Sequence, residues 1–451
     1  MSKVTVAKFG GTSVADADAM RRCAAIVTET SNTRVVVLSA SSGVTNLLVD
    51  LARGTLSAAE QDAHLQKLKS IQDNILTALG NPSPLRETID GMLKDIADMA
   101  RQATQKTDAA LEDRLVAQGE LMSTRLFTEL MNQAGHKAVW FDVRKIMRTD
   151  SRFGRATPAI EAIQNLAQQE MAPLLKDAIV ITQGFIGANA DGQTTTLGRG
   201  GSDFSAALLA EALNVDELEI WTDVPGIYTT DPRLVKEAHP IPEITFSEAA
   251  EMATFGAKVL HPATLQPAVR KGIPVFVGSS KDPKAGGTWV RDVTESSPLF
   301  RAVALRRNQI LLTLHSPHML HACGFLAQAF SILAKHGISV DLITTSEVSV
   351  AMTIDQTGSN SSGRSVLNDT VLAELNALCK VKVESNLALV AMIGNRMSDV
   401  SGVGTQVFDA VTEHNVRMIC YGASAHNLCF LVPETDASEV VQKLHAKLLT
   451  E

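Results

Sequence analysis

Up to about Ser280 the chain alternates short apolar runs with stretches of helical spacing. The runs are VTVAKF, RVVVLSA, KAVWFDV, AIVITQGFIG, ELEIWTDV and IPVFVGSS, each bounded by turn residues. Runs that are apolar at nearly every position, rather than at alternate ones, belong to strands covered on both faces. The pattern therefore predicts an α/β architecture with a largely parallel sheet between helix layers. ADAMRRCAAIVTET and NLLVDLA supply helical stretches between the runs, and one long helical stretch is expected from about Ala58 to Gly135. In sheets of this kind ligands bind beyond the C-terminal ends of the strands. Those ends carry Gly10-Gly11, Ser39, Thr45 and Asp223.

With 451 residues the chain has room for two to four domains. Its net charge of -8 argues against nucleic acid and against an anionic membrane surface, so any phosphate must be held locally by loops and a few placed cations. Five scattered cysteines with no C-x-x-C pair predict a reducing compartment rather than a disulfide framework or a zinc site. No basic-then-apolar leader and no run long enough to span a bilayer is read, which makes the cytoplasm the expected location.

Two glycine-rich turns carry the chemistry. In KFGGTS a strand runs into Gly10-Gly11 and then a helix, so that backbone N–H groups can approach a phosphate, with Lys8 in reach. The lysine precedes the glycines, so this is not a Walker A loop. The second turn, TTTLGRGGSD, opens a helix that Ser202 or Asp203 would cap. Arg199, between Gly198 and Gly200-Gly201, is placed to fork onto a carboxylate or phosphate. On residue type alone, Lys8, Lys258 and Arg199 could equally be solvated, Asp203 a plain cap, and Glu120 an exposed helix residue among Leu115, Val116, Leu121 and Leu126.

After a polar connector, KDPKAGGTWVRDVTESSP, an internal repeat begins. AFSILAKHGISVDLITTSEVSVAMT aligns without a gap on VFDAVTEHNVRMICYGASAHNLCFL. The matched pairs Phe330/Phe408, His336/His414 and Ser346/Ser424 are each 78 residues apart. Two copies of a small βαββ-type unit predict a paired regulatory module rather than a solenoid, which needs at least three repeats.

KFGGTSV, SASSGVTNLL, GELMS, FDVR, TLGRGGSD, WTDVPGIYTTDPR, EMATFGAKVLHP and the tandem repeat together resemble the aspartate kinases of the amino-acid kinase family, in the monofunctional, lysine-sensitive form. The likeness runs over the whole chain. It implies an amino-acid kinase domain over 1–290 and two α+β, ferredoxin-like ACT units over 300–386 and 387–451. The second unit, which ends in the helix ASEVVQKLHAKLL, would be completed by a strand near 301–307. The implied reaction is MgATP-dependent phosphorylation of the β-carboxylate of L-aspartate, the first step toward lysine, threonine and methionine, with feedback by L-lysine. The resemblance implies catalytic roles for Lys8, Lys258 and Asp203. Nucleotide contacts would come from Lys8, Gly10, Gly11, Thr222, Asp223, Tyr228, Arg233 and Lys258. Substrate contacts would come from Ser39, Thr45, Glu120, Arg199, Gly200, Gly201 and Ser202. For the effector it implies Met319, Gly324, Phe325, Leu326, Ser339, Val340, Asp341, Thr345, Ser346 and Glu347. The Mg²⁺ would come with ATP; no side chain is assigned to metal directly. A homodimer or homotetramer built through the ACT units is expected. The alternatives are a kinase of glutamate or a carbamate, and a non-catalytic amino-acid sensor.

Overall fold

The computed structural model describes residues 3–198, 200–256, 262–319, 323–355 and 367–450. It divides into two compact units. The first comprises 1–227, 240–246 and 259–294; the second comprises 228–239, 247–258 and 295–451.

The first unit is built on an eight-stranded sheet. From one edge its order is Ala138–Phe141, Ile179–Gln183, Thr33–Leu38, Thr5–Phe9, Glu217–Thr222, Val275–Ser279, Gly287–Arg291 and Glu243–Thr245. All pairings are parallel except that of Val275–Ser279 with Gly287–Arg291. Thr5–Phe9 lies near the centre and is buried at every position, as a strand covered on both faces must be. The aromatic run across the sheet is packing: Trp221 stacks on Phe9 with centroids 6.3 Å apart and meets Phe276 edge-on at 5.4 Å.

The helical stretch after Ala58 is not continuous. It forms four helices, Ala58–Ala78, Ser83–Gln105, Ala109–Val116 and Gln118–Gln133. The first is opened by a reciprocal cap, Ser57 with Glu60, and ends before Gly80, Asn81 and Pro82. The third is opened by the Asp108 side chain, which accepts the Leu111 N–H. Helical spacing alone does not reveal such breaks, because the apolar positions keep their period across them.

The second unit holds a six-stranded antiparallel sheet, ordered Ile343–Thr345, Ser349–Asp355, Ala302–His315, Lys380–Ile393, Asn427–Pro433 and Met418–Tyr421. Its two central strands are long, and each serves both copies of the repeat. Residues 309–315 pair with 349–355, while 302–306 pair with 389–393, beside 427–433. The changeover lies at Arg306–Gln309, where the register shifts and Asn308 takes a positive φ. Two separate cores result. One is built on Leu312, Leu333, Val350 and Leu375, the other on Val390, Val407, Phe430 and Leu444.

Candidate active site

The C-terminal ends of the four adjacent strands Thr5–Phe9, Thr33–Leu38, Ile179–Gln183 and Glu217–Thr222 form one rim. Their loops are laced together by backbone bonds. Gly10 N–H donates to Trp221 C=O (3.2 Å), Ser39 N–H to Phe9 C=O (3.2 Å), and Gly184 N–H to Leu38 C=O (2.9 Å). A side chain at Gly11 would lie 2.8 Å from the Ala40 carbonyl, and one at Gly184 would run into Ser202. Glycine at these positions lets the loops close on one another.

Lys8, one residue from the end of its strand, sends Nζ to within 2.6 Å of Asp203 Oδ1. A Cβ added at Gly10 would sit 3.6 Å from that nitrogen, so the ammonium lies over the Gly10-Gly11 turn. Asp203 is the third residue of the helix Gly201–Leu213 and does not cap it. The cap is Gly200 in the left-handed region, with no side-chain bond, which leaves the Asp203 carboxylate free to hold Lys8. The expectation that Ser202 or Asp203 caps this helix is therefore corrected. A left-handed glycine sets the entry angle of the helix, and the Gly201 N–H donates back to the Gly198 C=O at 3.0 Å.

Glu120 belongs to the helix Gln118–Gln133 and is buried, not exposed. Its Oε1 accepts the Ala40 N–H at 3.1 Å. Its Oε2 is enclosed with no hydrogen-bond partner among the described residues. Burial pushes its carboxyl up to about 8. The Ser41 hydroxyl is likewise buried without a partner. Buried polar atoms seldom lack partners, which makes these two orphans at the rim candidate contacts for a bound polar group. Ser123 Oγ fixes the same loop by donating to Ser39 C=O at 2.8 Å. Thr45 sits partly exposed in the first turn of the helix Val44–Ala52.

On the far side of the rim, Thr222 ends its strand, and its carbonyl accepts both the backbone N–H (2.9 Å) and the hydroxyl (3.1 Å) of Ser280. Ser280 in turn bonds Ser13 at 2.6 Å. Asp223 is exposed beside Thr222. Lys8, Gly10, Gly11, Ser39, Thr45, Glu120, Gly200, Gly201, Ser202, Asp203, Thr222 and Asp223 all lie in the first unit, at or near these strand ends. Tyr228 and Arg233 belong to the second unit, where Arg233 is exposed and pairs with Asp231 at 2.6 Å. Arg199 and Lys258 lie outside the described residues. Sequence reasoning missed Ser41, Ser280 and Phe185. Phe185 follows Gly184 at φ +71°, a strained conformation for a bulky residue, with its ring against Gly201. No residue pattern announces such a dihedral.

Among the described residues no group of three or more His, Cys, Asp or Glu side chains could hold a metal ion.

The effector candidates fall into two groups. Met319, Gly324, Phe325, Leu326, Ser346 and Glu347 lie near one end of the edge strand Ile343–Thr345. There Ser316 N–H donates to Val348 C=O at 2.9 Å, and Gly324 caps the helix Phe325–Lys335. Ser339, Val340 and Asp341 lie at the other end, where Asp341 N–H bonds Thr353 C=O at 3.0 Å. Thr345 closes the strand on the first side. Within one chain the acids Asp341 and Glu347 thus lie beyond opposite ends of this three-residue strand, Glu347 in the turn that leads into Ser349–Asp355. Asp341 is not free either: Arg306 Nη1 lies 3.1 Å from its Oδ1, while Nη2 of the same guanidinium holds Asp355 at 2.9 Å.

The model of the amino acid kinase family matches residues 3–279, and that of the ACT domain matches 312–364 and 390–448. The chain is 62% identical over 448 residues to the lysine-sensitive aspartokinase 3 of Escherichia coli, covering 99% of this chain and all of that one. It is 37% identical to the chloroplastic aspartokinase 1 of Arabidopsis thaliana, covering 98% of this chain and 79% of the relative. Among solved structures it resembles E. coli aspartokinase III in complex with aspartate and ADP, with a TM-score of 0.90 and 61% identity over 99% of this chain and 100% of that one. The chain belongs to the amino acid kinase family and, within it, to the aspartokinases.

Proposed function

We propose that this chain transfers the γ-phosphoryl group of MgATP to the β-carboxylate of L-aspartate and that L-lysine inhibits it. The Lys8–Asp203 pair over Gly10-Gly11, together with a Glu120 carboxyl whose Oε2 lacks a hydrogen-bond partner among the described residues, carries the reading. An aspartate side chain, with its ordinary pKa of ~3.9, is ionised at neutral pH, so attack needs no general base. The difficulty is bringing one anion onto another. Lys8, held by Asp203, and Lys258 would neutralise the charge that develops on the transferred group, while Gly10 and Gly11 cradle phosphate. Thr222, Asp223, Tyr228 and Arg233 would hold the nucleotide. Arg199 and the first N–H groups of the helix after Gly200, with Ser202, Ser39 and Thr45, would take the α-carboxylate. Glu120 would take the α-ammonium. We place the reaction in the cytoplasm; no helix among the described residues is long and apolar enough to cross a membrane.

Two results follow for substrate binding. With its carboxyl at about 8, Glu120 is largely protonated at pH 7 in the free protein. An ammonium docked against it favours the ionised form, so binding expels about one proton per site. Calorimetric titration of L-aspartate at pH 7 in buffers of different ionisation enthalpy should register this proton. The release should vanish above about pH 9, where Glu120 is already ionised, and in Glu120→Gln. Binding without proton release would remove Glu120 from the ammonium. Separately, Arg199→Lys keeps the charge but loses the bidentate fork. Its aspartate KM should rise about tenfold or more while the ATP KM stays near wild type; equal weakening of both would put Arg199 on phosphate.

The separated effector groups fit a site shared between two copies. The edge strand Ile343–Thr345 is exposed throughout. Antiparallel pairing with its symmetry mate would bring the Asp341 end of one chain to the Glu347 end of the other. We therefore infer a homodimer, or a tetramer built from it, with lysine bound between ACT units.

A further inference from the structure

The turn that begins the helix Gly201–Leu213 is reached through a two-stranded hairpin, Ile186–Ala188 with Thr194–Thr196, and every threonine of its second strand is anchored. Arg144 Nη1 donates to Thr194 Oγ1 (3.0 Å), and Thr195 shares a hydrogen bond with the Thr149 hydroxyl (2.7 Å). Thr196 gives both its donors to one buried carboxylate: its N–H to Asp113 Oδ2 at 2.7 Å and its hydroxyl to Oδ1 at 2.8 Å. The Gly154 N–H points between the same two oxygens, at 3.0 and 2.9 Å. Asp113 is only 4% exposed and sits on the short helix Ala109–Val116. No cation of the described residues forms an ion pair with it, so the donors of Thr196 and Gly154 hold it in place. Hydrogen bonds to a carboxylate are about twice as strong as neutral ones.

Both partners touch the turn. Thr196 is two residues from Gly198, and its carbonyl accepts the Ala156 N–H at 2.8 Å. Gly198 has φ +77°, and a Cβ there would lie 3.2 Å from the Gly154 carbonyl. Asp113 therefore grips the strand entering the turn and the loop on which the turn rests.

We propose that Asp113 is a positioning residue for the amino-acid substrate: through Thr196 and Gly154 it sets where Gly198 and the helix start Gly200–Ser202 are held. This rests on the reading that this turn binds L-aspartate. In Asp113→Asn one oxygen becomes an NH₂ group facing N–H donors, with little change in volume. A misplacement of about 1 Å at such a turn costs on the order of 10²-fold in kcat/KM. The loss should appear in the aspartate KM, with the ATP KM within about twofold of wild type. Thr196→Val, which removes only the hydroxyl donor, should shift the aspartate KM the same way by a smaller factor. Thr196→Ser should restore it, and this pair decides the matter if Asp113→Asn does not fold. Ser202→Ala serves as the reference for the turn itself. A raised aspartate KM in Ser202→Ala with no selective change in the Asp113 and Thr196 variants overturns the role of Asp113 and leaves the turn's assignment standing. An unchanged aspartate KM in all of them overturns both. Equal shifts in the aspartate and ATP KM values show Asp113 to be merely structural.

Discussion

Lys8→Ala should abolish nearly all turnover, by about 10³-fold or more, while the protein still folds. The reason is geometric. Lys8 stands on the most enclosed strand of the sheet, and its side chain is only 10% exposed. Asp203 holds its nitrogen at 2.6 Å, over a turn whose glycines admit a phosphate. A cation fixed in advance where charge develops costs no reorganisation during reaction; a single donor of this kind is commonly worth ~10²–10³ in kcat, and a full charge beside a triphosphate more. Removing the ammonium leaves Asp203 without its partner, but that side chain is 18% exposed and can turn to water, so the melting midpoint should fall by only a few degrees. Turnover with MgATP and aspartate, read beside a thermal melt, checks this. Near-normal turnover in a folded variant would take Lys8 out of the chemistry.

The second large effect is regulatory. Asp341→Ala should raise the lysine concentration for half-inhibition at least tenfold, about 1.4 kcal/mol, and leave uninhibited turnover unchanged. Asp341 is half-buried and its Oδ2 has no partner among the described residues, although Arg306 holds Oδ1. Burial pushes its carboxyl above the usual range even beside that guanidinium. An incoming ammonium would complete this site. In the variant Arg306 keeps Asp355, so the strand changeover it stands on is retained. Lysine acting between two chains can tip their arrangement, typically with a coupling of ~1–3 kcal/mol. Activity against lysine and threonine, with mass by light scattering under each condition, is the measurement. Unchanged lysine sensitivity removes Asp341 from the site; a monomer throughout removes the interface.

The sheet was legible because near-continuous apolar runs leave few other arrangements, and the repeat was legible because its copies align without a gap. The breaks after Ala78 and Gln105 were less so, since the apolar period continues through them. Strand order follows no local pattern at all: Thr5–Phe9 lies between strands that begin about 30 and 210 residues later. Within the site, Lys8 and the glycines announced themselves by residue type at a strand end. Glu120 did not, because a glutamate on a helix of mixed spacing reads as surface, and its burial depends on the loop Ser39–Ser41 folding over it. Phe185 and Asp113 carry their roles in a dihedral and in three converging donors, and neither is written in local sequence. The effector candidates are adjacent in sequence but lie at opposite ends of Ile343–Thr345, which only the strand direction reveals.

The most direct test is to trap the product. An acyl phosphate reacts with hydroxylamine to give a hydroxamate, which distinguishes transfer to a carboxylate from simple ATP hydrolysis. The protein should form hydroxamate from L-aspartate and MgATP in step with ADP release, far less from L-glutamate and none from carbamate, and L-lysine should suppress it. ADP release without hydroxamate, or a preference for glutamate, would contradict the assignment of this chain as a lysine-inhibited aspartate kinase.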